Sequence, residues 1–311
     1  MKLGLDTFSL HINLAAGEYD FFRTLDWMEE LGLEGLQINI NGPRGRFLGG
    51  DPADRDHLER VRRALAQKGF FAEIGGSGTD PARLEFQLRL AAAVGADTLR
   101  TLLVLEGTLE ETFVRTRRDL EAVLPLSRQL GVRIALENHE DVTAGELRSF
   151  LDGVNDPQVG ACLDTGNDLV VHGDPLEAAR LLAPRAISTH IKDQKLVRVG
   201  GTVYSVGVPL GEGDLPLQAQ LAAILETGSL DRLLIQDTTG YAARLNPFGR
   251  SDLVAGPDDP GLPAYPDSAA AAAAGLLLSL EGLSMVTLRE EARRQIERIA
   301  AEVERMRVWL G

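Results

Sequence analysis

Arg133-Ile134-Ala135-Leu136-Glu137-Asn138-His139-Glu140-Asp141 begins as an apolar run and breaks into a dense polar cluster at its C-terminal end. The first half reads as a buried strand. A carboxylate at its tip is costly to bury unless it is paired or bound to a cation. If the strand persists through His139, its two-residue period turns Glu137 and His139 to the same side. That pairing reads as a metal ligand with a proton-transfer group beside it. The plainer alternative is a strand end fraying into water.

The same pattern recurs in both directions. Apolar runs fall at 3–8, 33–40, 70–74, 98–105, 132–137, 159–164, 186–191 and 232–235. Helical spacing, caps and glycine stops mark 19–31, 51–69, 80–95, 110–130, 144–151, 175–182 and 217–226 between them. Asp51-Pro52 and Asp80-Pro81 each open a helix, with Asp80 as its cap. Most spacings are roughly 27–35 residues, the size of a βα unit with a short crossover. Alternation of this kind implies a parallel sheet with helices outside, and eight units favour closure into a (β/α)8 TIM barrel. The barrel is expected over residues 1–284. It includes a β-hairpin near 195–213 around Gly200-Gly201, overhanging the mouth, and a long Pro/Gly/Asp-rich loop near 241–267. Residues 269–280 read as the last barrel helix. Residues 285–311 form a C-terminal helical extension whose apolar stripe (Leu288, Ala292, Ile296, Ile299, Val303, Met306, Leu310) packs on the barrel or on a second subunit.

The bulk numbers narrow the function. The chain has 311 residues, 44% hydrophobic, with a formal net charge of −14 and a pI of about 4.9. An acidic chain is a poor phosphate-backbone binder, so nucleic acid is not an expected partner. The lone cysteine, Cys162, excludes an intrachain disulfide and reads as a small core residue. It fits a reducing, cytoplasmic compartment. The N-terminus lacks signal-peptide architecture, and no run is apolar and long enough to span a bilayer.

In such a barrel chemistry lies at the C-terminal ends of the strands. Glu137, Asp164, His190 and Gln236 close four successive runs there. Two carboxylates, an imidazole and an amide oxygen suit one divalent cation. Mn2+ is the first choice, with Mg2+ or Co2+ as alternatives and Zn2+ less favoured by an oxygen-rich set. Singly, Asp164 reads equally well as a helix cap and His190 as a core histidine.

Lys2-Leu3-Gly4-Leu5-Asp6-Thr7-Phe8-Ser9, the Glu137-Asn138-His139 step, Leu163-Asp164-Thr165-Gly166-Asn167, His190-Ile191-Lys192-Asp193 and Pro209-Leu210-Gly211-Glu212-Gly213 carry a family resemblance. Over about residues 1–240 the chain resembles the xylose isomerase-like TIM-barrel superfamily, which includes sugar phosphate isomerases/epimerases and ketose 3-epimerases. The resemblance implies a metal held by Glu137, Asp164, His190 and a fourth strand-end residue. Ketose epimerases of that group usually carry Glu at the fourth position, where this chain has Gln236. An amide can offer its oxygen to a metal but cannot accept and return a proton, so epimerisation by two glutamates is in doubt. Two carboxylates just neutralise a divalent ion and leave it a stronger Lewis acid.

Another base is then required. His139 is the first candidate by its strand phase, and Lys192, two residues beyond His190, is the second. Asn138 and Asn167 are candidate substrate or supporting contacts. Glu212, after the hairpin, and His11, past the first run, are further substrate-contact candidates. The expected activity is metal-dependent proton abstraction α to a carbonyl of a sugar or oxo-sugar, giving isomerisation or epimerisation. Glu137-Asn138-His139-Glu140-Asp141 with Gln236 also resembles the large subunit of bacterial C-glycoside deglycosidases. That implies elimination from a 3-oxo-C-glycoside, a lyase reaction, beside a small partner subunit. A homo-oligomer is the other assembly in view. A catalytically silent polyol-binding barrel is a further reading. A DNA-repair nuclease is disfavoured by five histidines and the acidic charge.

Overall fold

A computed structural model describes residues 1–41, 43–228, 230–253 and 261–311. Eight parallel strands form the barrel: β1 (Lys2–Asp6), β2 (Gly35–Asn39), β3 (Phe71–Gly75), β4 (Thr98–Thr101), β5 (Arg133–Glu137), β6 (Val159–Asp164), β7 (Ala186–His190) and β10 (Arg232–Ile235). Their order is β10-β1-β2-β3-β4-β5-β6-β7. Beyond the end of β7, Ile191 N donates to Leu234 O (2.8 Å) and Gln236 N to Ile191 O (2.9 Å), which joins the two edges. The expected (β/α)8 TIM barrel is the fold.

The helical ring is built from α2 (Phe21–Glu30), α3 (Arg55–Lys68), α4 (Pro81–Val94), α5 (Leu109–Leu130), α6 (Ala144–Val154), α7 (Pro175–Leu182) and α8 (Leu217–Glu226); α1 (His11–Ala15) follows β1. Local chemistry sets their ends. Thr108 and Thr143 form capping boxes with Glu111 and Glu146. Each satisfies two amides that the first helical turn leaves without partners. Asp80 caps α4 as expected. By contrast α3 starts at Arg55, capped by Asp54, because Asp51 spends its carboxylate on Ala53 N (2.9 Å). At the floor of the barrel the Phe71 ring needs two glycines. A Cβ on Gly4 would lie 2.5 Å from that ring, and one on Gly35 2.3 Å.

The hairpin consists of β8 (Asp193–Val199) and β9 (Thr202–Val208), with Gly200 and Gly201 at φ 55° and 84° in the turn. Glycine takes positive φ without the steric cost that Cβ brings. The long stretch near 241–267 is less irregular than expected. It contributes β11 (Ala242–Arg244) and β12 (Ala264–Tyr265), which extend the hairpin into a four-stranded sheet, β11-β9-β8-β12; its residues 254–260 lie outside the described residues. The helix expected over 269–280 is only α9 (Ser268–Ala273), followed by Gly275 at φ 89°. Its Ala271 packs with Val197, Val199 and Val206 of the hairpin, not on the barrel. Alanines offer too little apolar area to dock a helix on the barrel wall.

The outer position is taken by α10 (Met285–Leu310), which buries Ile299, Val303 and Met306 in the barrel's main core cluster. Its N-terminal half meets Ile12 and Ala16 through Leu288 and Ala292. Among the described residues no helix is long and apolar enough to cross a membrane. Because Ile299 is fully buried, Ile299→Ala is expected to cost ~2–5 kcal/mol in urea unfolding. A loss below ~1 kcal/mol would show that α10 is only loosely attached.

Candidate metal centre

The barrel strands deliver one or more polar side chains each to the central axis. At the lower level Arg232 Nε lies 3.0 Å from Glu73 Oε1. Ser188 Oγ and Gln37 Nε2 donate to Glu73 Oε2 at 2.6 and 3.1 Å. Above them Arg100 Nε donates to Gln37 Oε1 (3.1 Å) and sits 3.3 Å from Glu137 Oε2. This fully internal column fixes the floor on which the strand-end groups rest.

Those groups converge on one atom. Around His190 Nδ1 lie two candidate ligand atoms, Glu137 Oε1 at 3.5 Å and Asp164 Oδ2 at 3.6 Å, while the Gln236 amide nitrogen, a hydrogen-bond donor, faces the same atom at 3.4 Å. Ligand atoms sharing one cation at bonds of about 2.1–2.2 Å stand about 3.0–3.6 Å apart at octahedral or tetrahedral angles. The opposite ring nitrogen, Nε2, faces Gln37 Oε1 at 3.1 Å. A proton held there leaves the Nδ1 lone pair, which the Gln236 amide now faces, as the donor a metal would take. All four side chains are buried.

The Asp164 carboxylate is divided between two tasks. Its Oδ1 accepts from Gly166 N (2.9 Å) and Asn167 N (3.1 Å). Its Oδ2 is buried with no hydrogen bond, although Lys192 Nζ lies 3.1 Å away. An unsatisfied buried acceptor aimed at the cluster is what a cation would complete. Burial works against ionising Glu137, but Arg100 and then His190 outweigh it and hold its carboxyl well below the usual range. Burial likewise opposes charging His190, yet the surrounding acidic groups drive its pKa well above the ordinary imidazole value. The imidazole is thus in a field that favours positive charge, which a divalent cation would supply instead of a proton. The donor set fits a divalent metal.

The other expected residues fall in different places. β5 ends at Glu137, so the strand phase does not carry through to His139. His139 is nonetheless half-buried and within electrostatic reach of Glu137 and Asp141. Asn138 faces away. Its Oδ1 accepts from Asp164 N (2.8 Å), and its Nδ2 donates to Asp164 O (3.0 Å) and Asp168 Oδ2 (2.7 Å), so it braces β5 against β6. Asn167 is inside the cluster, giving Nδ2 to Glu137 Oε1 (3.1 Å) and taking Lys192 Nζ on Oδ1 (2.7 Å). Lys192 is therefore pinned between Asn167 and Asp164. His11 stacks on Phe8 with centroids 5.0 Å apart. It lines a cavity of about 710 Å³ with Phe8, Arg46 and Asp51. Glu212 is exposed, and the neighbouring Gly211 packs beside Arg305 and Trp309 of α10, so the structure does not bring Glu212 to the cluster.

Three functional neighbours were missed from the sequence. Arg100 and Asp6 are charged residues inside apolar runs, as are Glu73 and Arg232 of the column below, a signal that was available. Cys162, read as core, places its thiol with Glu137 and His190 so that one ligand atom of each lies within 4.8 Å of the others. Burial pushes that thiol's pKa up. The charge balance also changes: Arg100 and Lys192 stand against Glu137 and Asp164, so two carboxylates would not face a cation alone.

A roof covers the site. Tyr241 Oη donates to Glu140 Oε1 (2.8 Å), and Arg250 Nη1 donates to Glu146 Oε2 (2.9 Å) and Asp141 O (3.1 Å). β10 and β5 are separated around the barrel by β7 and β6. The Tyr241–Glu140 bond therefore arches over the strand ends that carry His190 and Asp164.

Comparison with known proteins bears on this geometry. The chain is 32% identical over 165 residues to 3-oxo-isoapionate decarboxylase of Pectobacterium atrosepticum, covering 52% of this chain and 59% of that protein. Among solved structures, the IOLI protein with a bound zinc atom superposes with a TM-score of 0.63 at 17% identity, over 76% of this chain and 89% of that one. L-ribulose 3-epimerase gives 0.59 at 17% identity, over 100% and 98%. These two likenesses establish the fold. The model of the xylose isomerase-like TIM barrel family matches residues 25–239, a span that holds Glu137, Asp164, His190 and Gln236. The chain belongs to the xylose isomerase-like TIM barrel family.

Proposed function

We propose that this protein is a divalent-metal-dependent enzyme that removes a proton α to a carbonyl of a sugar or oxo-sugar. The observation that carries the reading is the convergence of two strand-end carboxylates at 3.5 and 3.6 Å from His190 Nδ1, with Asp164 Oδ2 lacking a hydrogen bond there. Glu137, Asp164, His190 and Gln236 would hold the cation. When bound, it supplies Lewis-acid polarisation of the substrate carbonyl and stabilises the negative charge that develops on its oxygen. Mn2+ remains the first choice, and the Cys162 thiol within reach makes Zn2+ a stronger alternative than the four expected ligands did.

The chain's own groups do the rest. His139, beside Glu137 and without a side-chain hydrogen bond among the described residues, takes the α-proton. Asn167 and Lys192 orient Glu137 and Asp164 and offer donors to a substrate hydroxyl. Arg100 keeps Glu137 ionised. The Tyr241–Glu140 bond and the hairpin exclude water from above, which strengthens the electrostatics below.

Isomerisation or epimerisation is one outcome. A lyase outcome is favoured by Gln236: in elimination one group takes the α-proton and returns it to the departing aglycone carbon, and in decarboxylation CO2 leaves and the same group protonates the resulting enolate, so a returning pair is not needed. Likeness to a 3-oxo acid decarboxylase supports it, as it does elimination from a 3-oxo-C-glycoside. The elimination reading brings with it a small partner subunit.

Purified protein is expected to bind one Mn2+ per chain, and Glu137→Gln or Asp164→Asn to weaken binding by more than about 100-fold. Turnover is expected on one class among ketohexoses, cyclic inosose-type ketones, 3-oxo-glycosides and 3-oxo sugar acids, lost on chelation and restored by Mn2+. Inertness toward all four classes with a full complement of metal would instead support a polyol-binding barrel. His139→Ala is expected to lower kcat by ~10²–10⁴-fold while leaving the Mn2+ Kd unchanged. Unchanged kcat would remove His139 from the reaction.

A further inference from the structure

We infer that Asp6, on β1, is the positioning residue that makes Gln236 a metal ligand, so that one ligand oxygen and one negative charge are divided between two strands. The inference rests on the metal reading above. Register pairs Leu5 with Ile235, which brings the residues just beyond them side by side at the rim. Asp6 is fully buried and immobilised. Its Oδ1 accepts from Phe8 N (3.1 Å). Its Oδ2 accepts from Gln236 Nε2 at 2.7 Å and lies 3.8 Å from His190 Nε2.

A side-chain amide has a donor end and an acceptor end, and only the oxygen can serve a cation. Left alone, Gln236 has no reason to present that end. Nε2 is gripped by the Asp6 carboxylate through a charge-assisted bond and also faces His190 Nδ1 at 3.4 Å, a contact that a cation on Nδ1 would replace; Oε1 is the end left without a partner. Among the described residues it accepts from no donor. The supporting partner of a ligand fixes its orientation and raises its donor strength. Asp6 also contributes the third carboxylate of the cluster, offsetting Arg100 and Lys192.

This arrangement makes position 236 dependent on position 6. A glutamate at 236 would set two carboxylates against each other where a hydrogen bond of 2.7 Å now stands. Adding a carboxylate to a metal site ordinarily tightens binding; here it must not, unless Asp6 changes too. The test is calorimetric titration of Mn2+ into metal-free wild type, Asp6→Asn, Gln236→Glu and the double variant, with melting temperatures of each in chelator. Asparagine retains an acceptor for Phe8 N, so the fold is preserved.

The expected results are about 10–100-fold weaker binding for Asp6→Asn, no gain and a lower melting temperature for Gln236→Glu, and recovery of both in the double variant. A merely structural Asp6 would give additive losses, which would overturn the inference. So would a Gln236→Glu variant that binds Mn2+ more tightly at an unchanged melting temperature. Failure of wild type to bind any divalent cation would overturn the metal reading itself.

Discussion

A buried surplus of negative charge around one imidazole nitrogen is the constraint that the rest of the molecule serves. Glu137 Oε1 and Asp164 Oδ2 stand 3.5 and 3.6 Å from His190 Nδ1 in a position sealed from water. Unpaired charges in such a place are costly. The chain meets the cost in layers. Arg100 leans on Glu137 from below, Lys192 on Asp164 from the side, and Gln37 takes the far ring nitrogen of His190. Asp164 Oδ2 is left with the Lys192 ammonium beside it at 3.1 Å but no hydrogen bond.

The barrel explains why these groups can meet at all. Parallel strands in register bring residues far apart in sequence to one rim, each pointing inward from its own strand. The polar column of Glu73, Arg232, Ser188, Gln37 and Arg100 replaces apolar filling under the site, so the ligands rest on hydrogen-bonded partners whose positions are fixed. Above, the segment after β10 crosses back to the β5–α6 loop through Tyr241 and Arg250. β7 and β10 each serve both the floor, through Ser188 and Arg232, and the cluster, through His190 and the neighbouring Gln236, and no single segment contains the site.

The barrel was legible from the alternation of apolar runs and capped helices, because that pattern is imposed by burying each strand on both faces. The strand-end cluster was legible for the same reason: Glu137, Asp164, His190 and Gln236 close apolar runs where water does not reach. Arg100 and Asp6 obeyed the same rule and were passed over, since charges within a run were not read as partners for those at the run ends. The roles of Asn138 and Glu212 depend on which way a loop turns after its strand, which local pattern does not encode. β11 and β12 were hidden because two- and three-residue strands have no periodicity to detect, whereas the apolar stripe of α10 did point to the barrel as one of its two packing surfaces.

The claim on which the account stands is that one cation belongs among these four side chains. Anomalous diffraction from crystals grown with Mn2+ measures this directly. The account predicts a single strong peak within bonding distance of Glu137, Asp164 and His190, with the oxygen end of Gln236 facing it and the nitrogen end on Asp6. No peak there, or a peak elsewhere with these four groups splayed apart, would contradict it.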